Sequence, residues 1–193
     1  SGMRCVLVVL LFVIAAAQGH ADAIKVSFTP DGSLLRDGKP YFIKGAGGEN
    51  HLDELVARGG NSMRTWVEGD LTTTLEKADK LGLTVCAGIW LEKECSWFSY
   101  HKPEHCTRQL ERVRKVIQLH RAHPALLFWG LGNEVEGDGT DAAFWQQINR
   151  LAQMVHQEDP AHPTLTAVAG LSAEKAAGLT KHAPDLDLIG INT

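Results

Sequence analysis

No surplus of basic residues marks this chain: 19 Lys and Arg stand against 23 Asp and Glu, for a formal charge of −4. A nucleic-acid partner would call for a concentrated positive field, so none is expected. No acidic run is present either, which removes a self-repelling, disordered tail. Cysteine is sparse, with four residues in all. Cys86 falls in an apolar stretch and reads as a buried small hydrophobe. Cys95 and Cys106 flank a polar loop, and their placement is compatible with either a bridge or two free thiols. His101 and His105 between them raise a zinc site. The spacing matches no structural-zinc pattern, so a solvated loop is the preferred reading, and no metal or cofactor is expected.

The composition present, 44% hydrophobic in 193 residues, is that of one globular domain. The N-terminus differs in kind. Arg4 precedes an apolar run from Cys5 to Ala17, and Ala21-Asp22-Ala23 supplies a small-residue cleavage site. Residues 1–23, with Ser1-Gly2 as leading scar residues, are therefore expected to be a signal peptide. The run is too short and wrongly flanked for a membrane span. The expectation is a secreted or periplasmic chain, residues 24–193, with no membrane attachment after cleavage.

Short strands are predicted over Ile24 to Phe28 and Leu34 to Ile43, with Asp37-Gly38 as a hairpin turn. Strand and helix patterns then alternate. A strand from Tyr41 to Gly45 ends in Gly45-Ala46-Gly47-Gly48, and a short helix from His51 to Arg58 closes at Gly59-Gly60. Ser62 to Val67 forms the second strand, and Thr73-Thr74-Leu75-Glu76 reads as a capping box opening a helix to Leu81. Leu83 to Trp90 is the third strand, followed by a helix over Thr107 to His120. The fourth strand runs from Leu126 into Gly132-Asn133-Glu134. Asp141 caps a helix reaching Glu158, Thr164 to Ala169 is the fifth strand, Ser172 to Lys181 a helix, and Leu186 to Ile191 the sixth strand. This order fits an α/β fold, an incomplete (β/α)8 TIM barrel of about six βα units with a short N-terminal β-hairpin. A dinucleotide fold would need a third glycine after the first strand, where Glu49 stands instead.

An apolar strand ending in a carboxylate is the feature that carries chemistry. Barrels of this kind react at the C-terminal strand ends. A carboxyl beside an amide, after a strand holding Phe128 and Trp129, suits proton transfer to a sugar oxygen. The segments KGAGG, GGNSMRTW, LGLTVCAGIW, HPALLFWGLGNE and DLDLIGIN together resemble the barrel of glycoside hydrolase family 2. That family belongs to a clan whose catalytic glutamates lie on the fourth and seventh strands. The resemblance implies a secreted retaining glycosidase acting on β-linked oligo- or polysaccharide, with Glu134 as acid/base. It implies that Asn133 bonds the hydroxyl next to the anomeric carbon and that Arg64 supports the nucleophile. Trp66 and Trp90, at strand ends, are candidate sugar platforms; Trp129 reads as core and Trp145 as core or interhelical packing. Asn192 matches the polar residue ending the sixth strand, and His51 and Glu49 are weaker substrate candidates. Glu136 reads as a rim carboxylate.

The sequence departs from the family pattern in two ways. No β-sandwich precedes the barrel, which brings stand-alone family 5 enzymes and β-glucan transglycosidases into view. No nucleophile can be assigned, because six strands account for only three quarters of a barrel. The chain alone is therefore expected to be inactive. An alternative is a non-catalytic carbohydrate-binding or self-assembling partial barrel, and self-association through open sheet edges is expected.

Overall fold

A computed structural model describes residues 23–193 of the chain. The expected signal segment lies, except for Ala23, outside the described residues.

Two sheets form. The first is antiparallel and small, with β1 (Val26–Phe28), β2 (Leu34–Arg36) and β3 (Lys39–Pro40) in chain order. Asp37 and Gly38 turn between β2 and β3 at φ 51° and 72°, the left-handed pair that a two-residue hairpin demands. The second sheet holds β4 (Gly45–Gly47), β5 (Ser62–Arg64), β6 (Thr84–Ile89), β7 (Leu126–Asn133), β8 (Thr164–Ala169) and β9 (Leu188–Asn192). Every neighbouring pair is parallel, and sheet order follows chain order from β4 to β9. A doubly wound sheet would reverse direction at a switch point. Here there is none, and the arrangement is an incomplete (β/α)8 barrel.

Five helices connect the strands: α1 (Leu52–Ala57), α2 (Leu71–Lys80), α3 (Pro103–His120), α4 (Ala142–Glu158) and α5 (Ala173–His182). Their apolar stripes form the main core. Leu75 and Ala78 of α2, Val113 and Ile117 of α3, and Ile148 and Leu151 of α4 are fully buried with Leu126, Trp129 and Leu131 of β7. The β6–β7 register skips Leu127, pairing Val85 with Leu126 and Cys86 with Phe128. This bulge lets Leu127 and Phe128 both join Cys86 and Val26 in a second, smaller cluster.

The small sheet closes the end of the barrel where the strands begin. Tyr41 Oη donates to Asn61 O at 2.9 Å, just before β5. Arg36 Nη2 donates to Pro124 O at 2.7 Å, before β7, and Val26 N–H to Ala161 O at 2.8 Å, before β8. Phe28 stacks on Phe128 with ring centroids 6.3 Å apart. The opposite end, where the strands finish, is left to the loops.

Several boundaries differ from expectation, β5 for instance ending at Arg64 and β9 starting at Leu188, and three of the differences have a local cause. The first barrel strand is Gly45–Gly47 itself, and Tyr41 to Lys44 lead into it. A Cβ on Gly45 would stand 2.8 Å from Ser62 O, and one on Gly47 2.8 Å from the Trp66 ring. The glycines thus allow close approach within the sheet and do not form the turn after it. Helix α2 begins at Leu71 because Asp70 accepts from Thr73 N–H at 3.2 Å, displacing the expected Thr73 box. Helix α3 begins at Pro103, whose missing N–H and fixed φ suit a first turn.

Candidate active site

In a parallel sheet all strand ends of one kind share a face, so the residues finishing β5, β7 and β9 meet. The local chain at β7 is distorted to allow it. Gly130 pairs with Leu165 but Asn133 pairs with Ala167, so β7 spends an extra residue there. Gly132 and Glu134 both sit at positive φ, 79° and 53°. For Glu134 that left-handed backbone costs about 1–2 kcal/mol, so its surroundings must hold it. Its N–H donates to Ala167 O at 2.7 Å.

Four side chains then converge. Arg64 Nη2 donates to Asn133 Oδ1 at 2.7 Å. Asn192 Nδ2 donates to Glu134 Oε1 at 2.7 Å and lies 3.2 Å from Asn133 Oδ1. Arginine can only donate, which fixes the amide of Asn133 with its oxygen toward Arg64 and its NH2 turned away. All four residues are half-buried. No carboxylate lies within salt-bridge reach of Arg64 among the described residues. Partial exposure leaves its guanidinium solvated, and the Trp66 ring centroid lies 5.8 Å from its central carbon.

The tryptophans divide as their positions dictate. Trp66 and Trp90 are 43% and 49% exposed, while Trp129 and Trp145 are fully buried. Trp66 lies against Gly47. Trp90 is held by its peptide: its N–H donates to Glu68 Oε2 at 2.7 Å and its carbonyl accepts from Arg112, which also pairs with Glu68. The Glu68–Arg112 pair went unnoticed in the sequence because its members lie on separate elements. No bond links Trp90 to the Glu134 cluster among the described residues.

His51 stays apart from the cluster. It occupies the residue before α1 at φ 56°, its side chain 78% exposed with Nδ1 3.2 Å from Glu54 Oε1. Glu49 accepts from Thr74 Oγ1. Glu136 is not a rim carboxylate. It is 5% exposed, and Lys175 Nζ lies 2.7 Å from its Oε1. The cation that draws it inward comes from α5, far along the chain.

A hollow of about 550 Å3 inside the curled sheet is lined by Arg64, Trp66, Cys86, Phe128 and Leu165 among others, but not by Glu134 or Asn192. It is the barrel interior, and Arg64 joins its lining to the polar cluster. Burial pushes the Cys86 thiol up to about 12, against the opposing pull of the Arg64 charge. Cys95 and Cys106 are both free thiols, Cys95 exposed and Cys106 buried. His105 Nδ1 accepts from Ser99 N–H at 3.0 Å, and His101 Nε2 lies 3.3 Å from Asp141. No group of three or more His, Cys, Asp or Glu side chains placed to hold a metal ion occurs among the described residues.

Comparison with curated proteins gives no match. Solved structures do match. A glycosyl hydrolase family 2 member from Bacteroides cellulosilyticus superposes at TM-score 0.69 and 19% identity, over 88% of this chain and 23% of its own. β-D-Glucuronidase of Dictyoglomus thermophilum gives TM-score 0.66 at 19% identity, over 88% of this chain and 32% of its own. The β-1,4-D-mannanase of Cryptopygus antarcticus gives TM-score 0.66 at 12% identity, over 89% of this chain and 71% of its own. At these identities the likeness establishes the fold. The chain spans less than two thirds of the length of the first two. The family model for glycosyl hydrolases family 2, TIM barrel domain, matches residues 50–183, from the loop after β4 to the end of α5. That match takes in more than half of the chain and four of the strand ends, those of β5 to β8, and with it the chain belongs to the glycosyl hydrolases of family 2.

Proposed function

We propose that this chain carries the acid/base half of a glycosidase that cleaves β-linked glycosides with retention of configuration. The observation that bears this reading is the Glu134 carboxyl, with Oε1 held by Asn192 at 2.7 Å. Asn192 donates to Oε1, so the exchangeable proton resides on Oε2, which has no protein partner among the described residues. Oε2 is thus the atom that gives its proton to the glycosidic oxygen as the bond to the anomeric carbon breaks. A second carboxylate, about 5–5.5 Å away, attacks that carbon to form a glycosyl ester. Glu134, now ionised, takes a proton from water, which displaces the ester and restores both carboxyls. Asn133, its oxygen occupied by Arg64, presents its NH2 to the neighbouring sugar hydroxyl. Trp66 and Trp90 offer exposed indole faces to sugar C–H surfaces.

The second carboxylate belongs in this reading to a strand following β9, adjacent to Arg64 in a closed barrel. The six-stranded unit alone would then show no turnover on unactivated substrates. Solved relatives named for β-linked substrates, glucuronides and mannan, support the linkage class. Export is supported by Arg4, the apolar run after it and Ala21-Asp22-Ala23.

The test is Glu134→Gln in the full-length protein, assayed on 2,4-dinitrophenyl and methyl β-glucuronides and β-mannosides. Removing a general acid should cost about 10²–10⁴-fold on the methyl glycosides and far less in glycosylation by the dinitrophenyl glycosides. Equal losses on both would refute the assignment.

A further inference from the structure

We propose that the Glu136–Lys175 ion pair is a positioning device that sets the Glu134 carboxyl for proton transfer, an inference that rests on Glu134 being the acid/base. The pair is buried out of proportion to a surface loop: the side chains of Glu136 and Lys175 are 2% and 9% exposed. It brackets the last residue of β8. Ala169 N–H donates to Glu136 Oε1 at 2.9 Å, and Ala169 O accepts from Lys175 Nζ at 2.6 Å. One carboxylate and one ammonium thereby join the segment after β7 to the end of β8 and the first turn of α5.

Glu134 stands between two fixed points. Before it, β7 is registered on β8 through Asn133 and Ala167. After it, Glu136 is locked, and the loop beyond is locked as well. Gly139 N–H donates to Glu136 O at 2.9 Å, and Gly139 O accepts from Trp145 Nε1 at 2.8 Å. A Cβ on Gly139 would stand 2.3 Å from Lys175 Cγ, so the loop lies directly on the lysine stem. A residue at positive φ relaxes when either neighbour is released. Glu136 supplies the restraint on the C-terminal side, two residues from the reacting carboxyl. Its Oε2 is buried with no partner among the described residues. A group kept under that penalty serves something other than its own solvation.

The experiment compares Glu136→Gln, Lys175→Met and Lys175→Arg with Glu134→Gln in the full-length enzyme. Methyl and 2,4-dinitrophenyl β-glycosides report on acid catalysis, and added azide replaces the base-assisted water. Glu136→Gln and Lys175→Met should lose about 10²-fold on methyl glycosides, as expected for a misplaced catalytic group. They should lose only a few-fold in glycosylation by dinitrophenyl glycosides, with turnover restored by azide. Lys175→Arg, which keeps the charge, should stay near wild type. Equal losses on both substrates, or no loss at all, would overturn the proposal. If Glu134→Gln itself shows no dependence on the leaving group, the acid/base reading fails instead. Where a variant melts early, amide exchange on the wild type decides. The Glu134 and Gly139 N–H groups should be protected together with Ala169, and fast exchange at Glu134 beside a protected Ala169 would refute the coupling.

Discussion

Asn192 reaches Glu134 across the end of an intervening strand: its Nδ2 donates to Oε1 at 2.7 Å while β8 lies between β7 and β9. The same amide lies 3.2 Å from Asn133 Oδ1. Asn192→Ala therefore frees the carboxyl without touching its chain. A hydrogen bond to a charged group is worth about 1.5–3 kcal/mol, so kcat/KM should fall roughly ten- to a hundredfold on unactivated glycosides. Steady-state kinetics of the full-length variant provides the check, and an unchanged value would remove Asn192 from the site.

The thiols should react in an order set by burial. Cys86 is buried and its thiol is pushed up to about 12, so at neutral pH it is protonated and non-nucleophilic. Burial raises Cys106 as well. Cys95 is exposed. Iodoacetamide at pH 8 should label Cys95 first, with Cys86 labelled only after unfolding, as read by mass spectrometry of the peptides. Early labelling of Cys86 would mean that the inner cluster opens readily.

Trp129 is more than a filler of the core. Its Nε1 donates to Asp159 Oδ2 at 2.7 Å, and the same carboxylate lies 2.8 Å from His162 Nδ1, with all three residues buried. Trp129→Phe keeps most of the volume and removes one donor from a buried acid. The expected loss is about 1–3 kcal/mol in urea unfolding, with no change in the slope of the transition.

Among the described residues β4 and β9 are each paired on one side only, and Ile191 on β9 is 47% exposed. Open strand edges recruit other strands. The isolated six-stranded unit should associate as its concentration rises, measured by sedimentation velocity. A monomer at all concentrations would show that the edges are protected in some other way.

The barrel order was legible because buried parallel strands read as continuous apolar runs and because Gly59 and Gly82 mark helix ends. Both glycines sit at positive φ. The Glu134, Asn133, Arg64 and Asn192 cluster was legible for a related reason, since strand-end positions in a parallel sheet converge. Contacts made across the layers were not legible. Glu136 looked like a rim carboxylate until Lys175, on helix α5, supplied its charge partner. Gly45 to Gly47 carry a single methyl, on Ala46, from which no period can be read, so the first barrel strand was expected a few residues early, over Tyr41 to Gly45. Asp70 outcompeted Thr73 as a cap through a single hydrogen bond that no hydrophobic pattern records.

The small N-terminal sheet imposes an order of events on synthesis. Its Val26 bonds Ala161, a residue made ~135 positions later, or on the order of ten seconds afterwards at typical elongation speeds. Until then β1 cannot complete its bond to the barrel, and its packing on Phe128 also waits on a residue far along the chain. The first segment described is thus among the last to find its place. Through that interval the side chains of Val26 and Phe28 stand without the barrel contacts that they make in the folded chain. Substitutions that make β1 more polar should therefore raise the yield of folded protein while lowering its final stability.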